Sequence, residues 1–196
     1  MRVTGQYAPL TGILIGALSG AIYWLAVQIW PSSVAVILSM GATVLLTTEF
    51  HGPATRLDLL GRVLCLLIKY NALMALSAAK LPFVAPPNVA LALIMIAGLA
   101  ASFALLVAVM ATRAEKAAPK VGSGPLSLAL LIGFAPAALL GIPGLIGLAI
   151  ALLVGLGFIA FFKYKKISAG GDRLDATQLV TEVCFYLGAL ATWKYV

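Results

Sequence analysis

The chain has 196 residues, 63% of them hydrophobic and 10% charged, with 13 Lys and Arg against six Asp and Glu, and a mean hydropathy of +1.11. Soluble domains carry about 45–50% apolar and about 25% charged residues, so a water-soluble globule is excluded. Two cysteines exclude a disulfide scaffold, and the hydropathy excludes a disordered tail or a nucleic-acid module despite the net charge of +7. An integral membrane protein that crosses the bilayer several times is what remains.

A helical span needs roughly 20 mainly apolar residues, and the chain offers seven such runs. The first covers 10–30 and closes on Pro31-Ser32-Ser33; the second, 34–48, is short. Spans three and four are expected at 59–79 and 89–110, ahead of the polar stretch ATRAEKAAPKVGSGP. The apolar run at 126–162 is too long for one span. Gly141-Ile142-Pro143-Gly144 divides it into 126–140 and 145–162, and the last span is expected at 179–193. The reading is therefore an all-α, polytopic membrane helix bundle of about seven spans, with 1–196 as a single integral membrane domain. Gly12, Gly16 and Gly20 repeat a GxxxG spacing on span one, the mark of close helix packing and a face that permits association between copies. Cys65 and Cys184 fall within spans and read as small packing residues.

Lys and Arg collect in cytoplasmic loops. Seven spans place nine basic residues on the side of the N-terminus (Arg2, Arg56, Arg113, Lys116, Lys120, Lys163, Lys165, Lys166 and Arg173) and only Lys80 and Lys194 on the other. The N-terminus is thus expected inside, in a cytoplasmic (inner) membrane. Counting the 141–144 break as a reversal is what keeps the Lys163 cluster on that side. The first ten residues, MRVTGQYAPL, show no cleavable signal, so the spans themselves are expected to set the topology.

The acids are informative because they obey no such rule. Glu49, Asp58, Glu115, Asp172 and Asp175 all fall on the expected cytoplasmic side, and Glu182 falls about one turn inside the last span. Asp175, Gln178 and Glu182 are spaced i, i+3, i+7 and share a helix face. A carboxylate inside a span costs about 2.5–3.5 kcal/mol at the bilayer centre, so Glu182 should face the bundle interior with a cation or metal as partner. Such oxygen ligands suit Mg²⁺. Asp175 and Gln178 also fit a capping box at a helix start. Asp58, Arg62 and Lys69 share a face of span three. Two cations in line suit a phosphate or pyrophosphate; the alternative is an Asp58–Arg62 pair with Lys69 snorkelling. His51, the only histidine, stands beside Glu49 at the interface and is too little for a metal site alone.

The segment GGDRLDATQLVTEVCFYL resembles the C-terminal signature of the cobalamin synthase (adenosylcobinamide-GDP ribazoletransferase) family, G-D-x-L-G-A-x-Q-x-x-x-E. Gly171, Asp172, Leu174, Ala176, Gln178 and Glu182 match it, and Asp175 stands where the family has glycine. YAPLTGILIGAL at 7–18, TTEFH at 47–51 and RAEKAAPK at 113–120 resemble further family segments in order. After its histidine the family has D-G-x-A-D-x-x-D-G, whereas His51 is followed by GPATRLDLLGRV; Pro53, Leu57 and Leu60 occupy the aspartate places, with Asp58 one place out. The chain is thus expected to be either a shortened member, in that loop and at its N-terminus, or a sequence that omits a loop present in the full protein.

The resemblance implies a membrane phosphotransferase that joins adenosylcobinamide-GDP to α-ribazole or its 5′-phosphate, releasing GMP, with Mg²⁺ as cofactor. It implies Asp172, Glu182, Gln178 and His51 as catalytic residues. Glu49, Asp58, Asp172 and Glu182 would be the metal ligands, and Arg62, Lys69 and Lys120 would bind substrate. Two other readings stay open: an impaired homologue serving as a membrane scaffold for other corrinoid-pathway proteins, and a small transporter working through Lys69 and Glu182 at membrane depth.

Overall fold

The computed structural model describes residues 7–48, 56–78, 87–111, 123–165 and 171–193. Seven helices make up these residues: α1 (Ala8–Ala26), α2 (Ser32–Thr48), α3 (Arg56–Ser77), α4 (Pro87–Ala111), α5 (Ser123–Leu139), α6 (Ile142–Lys165) and α7 (Gly171–Trp193). The protein is an all-α membrane helix bundle. Hydrocarbon offers no partner to a bare amide or carbonyl, so apolar runs of this length close their hydrogen bonds within each helix. Four helices are long and apolar enough to cross a membrane: α1, α3 over Leu60–Ser77, α4, and α6 over Ile142–Phe161. The apolar parts of α2 and α5, Ser32–Thr47 and Leu126–Leu139, are shorter.

Prolines and one glycine place several boundaries. Pro9 and Pro87 sit in the first turns of α1 and α4, where a missing N–H costs nothing. Between α5 and α6 the chain turns on Gly141, whose φ of +69° is a left-handed conformation that glycine adopts without strain. The break expected at 141–144 is therefore a tight helix-to-helix turn, and Pro143 lies within the first turn of α6.

The hub is α4, buried on all its faces from Ala97 to Val107. Helices α1, α3, α5, α6 and α7 pack against it. The glycine stripe of α1 makes a close approach over three successive turns. A methyl group on Gly12 would stand 2.8 Å from the Leu99 carbonyl oxygen, one on Gly16 2.7 Å from the Ile96 Cα, and one on Gly20 3.1 Å from the Ala92 Cβ. Ascending numbers on α1 meet descending numbers on α4, so the two are antiparallel. The GxxxG face is spent inside the protomer. Helix α6 approaches α7 in the same way, with Gly188 against Gly147. Leucines such as Leu14, Leu60 and Leu153 stand exposed around the rim, as a lipid-facing surface requires.

Helix α7 departs from its expected start. It begins at Gly171, eight residues ahead of 179, because the polar segment DRLDATQ is itself helical. Asp175 therefore lies in the second turn and is not an N-cap. Glu182 lies about three turns from the helix start instead of one.

Candidate active site between α3 and α7

Helices α3 and α7 are joined by two ion pairs. Arg62 Nη2 donates to Asp175 Oδ2 at 3.1 Å, and Lys69 Nζ donates to Glu182 Oε1 at 2.6 Å. Both pairs span the same sequence separation, 113 residues. A constant offset means that the two helices run parallel and in register, like rungs of a ladder seven residues (about 10 Å) apart. Parallel α3 and α7 require an even number of reversals between them, and the Gly141 turn supplies one of those reversals.

The rungs differ in surroundings. The Arg62 side chain retains 27% of its exposure, while Lys69 and Glu182 retain 1% and 2%. Glu182 Oε1 also accepts the Tyr186 hydroxyl at 2.9 Å, and Lys69 Nζ lies 5.8 Å from the centre of the Tyr186 ring. That ring occupies a slot on α4 that exists because residue 98 is glycine: a methyl group there would lie 2.5 Å from the ring. Lys69 is thus buried and paired; it does not snorkel. The cation expected beside Glu182 is Lys69, and the Arg62 partner is Asp175.

Between the rungs and α2 lies a cleft of about 90 Å³. Helix α2 contributes Thr43, Val44 and Thr47, α3 contributes Arg62, Leu66 and Lys69, and α7 contributes Asp175, Gln178, Leu179 and Glu182. Thr43 is held by a small network, its hydroxyl 2.9 Å from the Ser39 carbonyl and 2.8 Å from Ser19 Oγ of α1. Gln178 is 5% exposed, and among the described residues no hydrogen bond reaches its amide.

Of the residues expected from sequence, the structure brings together Arg62, Lys69, Gln178 and Glu182. Glu49, His51 and Lys120 lie outside the described residues. Asp58 and Asp172 are placed by backbone alone, in the first turns of α3 and α7. The offset of 113 residues sets Asp58 level with Gly171 and next to the level of Asp172, one turn beyond the outer rung. Glu182 offers a metal at most its second oxygen, since Oε1 is taken twice. Among the described residues no three His, Cys, Asp or Glu side chains cluster as a metal site.

Asp175 and Tyr186 are the members that sequence reasoning underrated. The signal for Asp175 was present: residues 62 and 69 repeat the seven-residue spacing of 175 and 182, the mark of two helices that can pair twice. Tyr186 stands one turn after Glu182, but only the Gly98 slot reveals that its ring turns inward.

A family model described as cobalamin-5-phosphate synthase matches residues 1–52. Over most of its length the chain is similar to proteins named adenosylcobinamide-GDP ribazoletransferase. It is 34% identical to that of Leptothrix cholodnii, over 97% of this chain and 86% of the relative. It is 30% identical to that of Shewanella halifaxensis, over 95% and 84%, and 32% identical to that of Shewanella piezotolerans, over 98% and 87%. The first alignment runs over 226 positions against a chain of 196 residues, so at least 30 residues of that relative have no counterpart here. No solved structure matches the chain.

Proposed function

The chain belongs to the adenosylcobinamide-GDP ribazoletransferase family, and on that premise we propose that it is a multi-pass membrane phosphotransferase joining adenosylcobinamide-GDP to α-ribazole or its 5′-phosphate. The observation that carries this reading is the pairing of the α3 cations with two acids of α7, Asp175 and the signature residue Glu182, around one cleft. In the reaction the ribazole hydroxyl attacks the cobinamide-side phosphorus. A P–O bond forms there, the P–O bond to the guanosine phosphate breaks, and GMP leaves.

Phosphoryl transfer asks a protein chiefly to position the reactants and to neutralise charge. Arg62, partly exposed at the cleft, binds the phosphate oxygens. The Gln178 amide binds a phosphate oxygen, and His51 receives the proton of the attacking hydroxyl. Lys120 is a further substrate-binding cation of this proposal. Lys69 and Glu182 keep α3 and α7 in register beneath the site. Mg²⁺ is the cofactor proposed: Asp58, Asp172 and Glu49 would hold it, and it would supply charge neutralisation on the phosphoryl oxygens; Glu182, ten residues (about 15 Å) beyond Asp172 on α7, serves the Lys69 pair instead. The membrane proposed is the cytoplasmic (inner) one of a bacterium or archaeon. The N-terminus and the Arg62 end of α3 face the cytoplasm, where nucleotide substrates are found, and lipid is the surrounding partner.

The test is GMP release by the purified full chain from adenosylcobinamide-GDP and α-ribazole. Turnover that needs Mg²⁺ and is lost in Asp172→Ala supports the reading. A folded wild type that releases no GMP overturns it and favours the impaired homologue, a reading that the 30 or more missing positions motivate. Co-purification of other corrinoid-pathway proteins, or of a second copy, then identifies what such a scaffold holds.

A further inference from the structure

The cleft is small. At about 90 Å³ it falls far short of the roughly 300–1,000 Å³ that a drug-sized ligand fills. A corrinoid or a guanosine cannot enter it, but one phosphoryl group can. Its chemistry is that of a receptor for such a group. Arg62 presents five N–H donors in a planar fork, of which the Asp175 pair engages Nη2. One turn along α7, Gln178 lines the same space, and among the described residues no hydrogen bond engages its amide. That amide, open to the cleft, offers both a donor and an acceptor to a ligand that enters it.

The outer rung then acquires a second meaning. An oxygen of Asp175 lies 3.1 Å from Arg62 Nη2, the distance and the charge that a phosphoryl oxygen would bring. The inner rung is less suited to this part: Lys69 and Glu182 border the cleft but are 1% and 2% exposed, and Tyr186 shares their oxygen.

We propose that the α2–α3–α7 cleft is a phosphoryl-group subsite in which Asp175 is a resident placeholder, occupying Arg62 until an incoming phosphate displaces it and is read by Gln178. This rests on the phosphotransferase reading for the identity of the substrate, but the subsite itself rests on the cleft. Displacement has a consequence for affinity. An Arg62 held by Asp175 is available only part of the time, and apparent affinity falls by that fraction. The placeholder keeps a cation inside the membrane neutralised when no phosphate is bound, at the expense of tightness.

The experiment is calorimetric titration of the full chain with inorganic pyrophosphate, in maltoside micelles and magnesium-free buffer. Asp175→Asn keeps the side chain's shape and removes its charge; it is expected to tighten pyrophosphate binding about tenfold. Arg62→Gln is expected to weaken binding at least about tenfold, and Gln178→Leu by about fivefold. Unchanged or weaker binding in a folded Asp175→Asn overturns the placeholder, and unchanged binding in Arg62→Gln overturns the subsite. If Asp175→Asn does not fold, Asp175→Ser is measured against the same two outcomes.

A repeat in nanodiscs separates the sources of the phosphate. Competition by phosphatidylglycerol identifies a lipid headgroup as occupant, and its absence leaves a soluble diphosphate. Neither readout needs turnover. Pyrophosphate binding as described without GMP release keeps the subsite and overturns the proposed reaction. GMP release with Asp175→Asn binding like wild type does the reverse.

Discussion

The two rungs between α3 and α7 use the same chemistry for opposite ends. At the inner rung a Lys and a Glu are sealed from solvent at 2.6 Å, with a tyrosine hydroxyl on the same oxygen and a ring locked in a glycine slot. At the outer rung an Arg and an Asp meet at 3.1 Å beside a cleft, and the Arg side chain keeps 27% of its exposure. A sealed pair has no alternative partners. Its attraction holds two helices in register, and any single loss leaves a bare charge in a medium that cannot solvate it. A pair at a cleft can exchange partners at little cost. Burial, more than residue type, separates a pin from a receptor.

Breaking the inner rung from one side should have the largest effect. Glu182→Ala strands Lys69, and Lys69→Met strands Glu182; each is expected to cost about 3–5 kcal/mol, read as a lower midpoint of thermal unfolding in detergent. The double replacement Lys69→Met with Glu182→Leu leaves no charge to strand and should recover most of that loss. A double variant as unstable as the singles would contradict the pin.

A smaller effect is expected where the slot is narrowed. Gly98→Ala puts a methyl group 2.5 Å from the Tyr186 ring. It should destabilise the protein by about 1–3 kcal/mol, while Tyr186→Phe, which keeps the ring and loses only the hydroxyl, should cost about 0.6–2 kcal/mol. Equal costs for the two would show that the slot is not shaped around the ring.

At the outer rung the effect on stability should be smallest. The double replacement Arg62→Gln with Asp175→Asn strands no charge and is expected to shift unfolding by no more than about 1 kcal/mol, while GMP release falls by at least about tenfold. A variant that lost several kcal/mol would place Arg62 among the structural residues and erase the distinction between the rungs.

Much of this was legible in the chain. The apolar runs announced the helices because a bilayer leaves the backbone no other way to satisfy itself, and the glycines at 12, 16 and 20 announced the approach of α1 to α4. The polar faces of α3 and α7 could each be read from helical periodicity. The reading of α7 failed at its start. DRLDATQ looks like a connecting turn to a scale that counts apolar residues, and it becomes a helix because Asp175 and Gln178 have a polar face of α3 to lie against. Periodicity likewise found two stripes without saying that they meet, so the partner that Arg62 has on α7, 113 residues away, could not be read from either stripe.

The sequence by itself determined the class of the protein, its family and the residues with chemistry to offer. Hydropathy is a local property, and a signature motif is a string. Only the tertiary structure decided which cation faces which acid, how deep each pair lies and which of them can change partners. Those depend on register, on the reversal at Gly141 and on the room that Gly98 leaves for one tyrosine, and no stretch of the chain contains them alone.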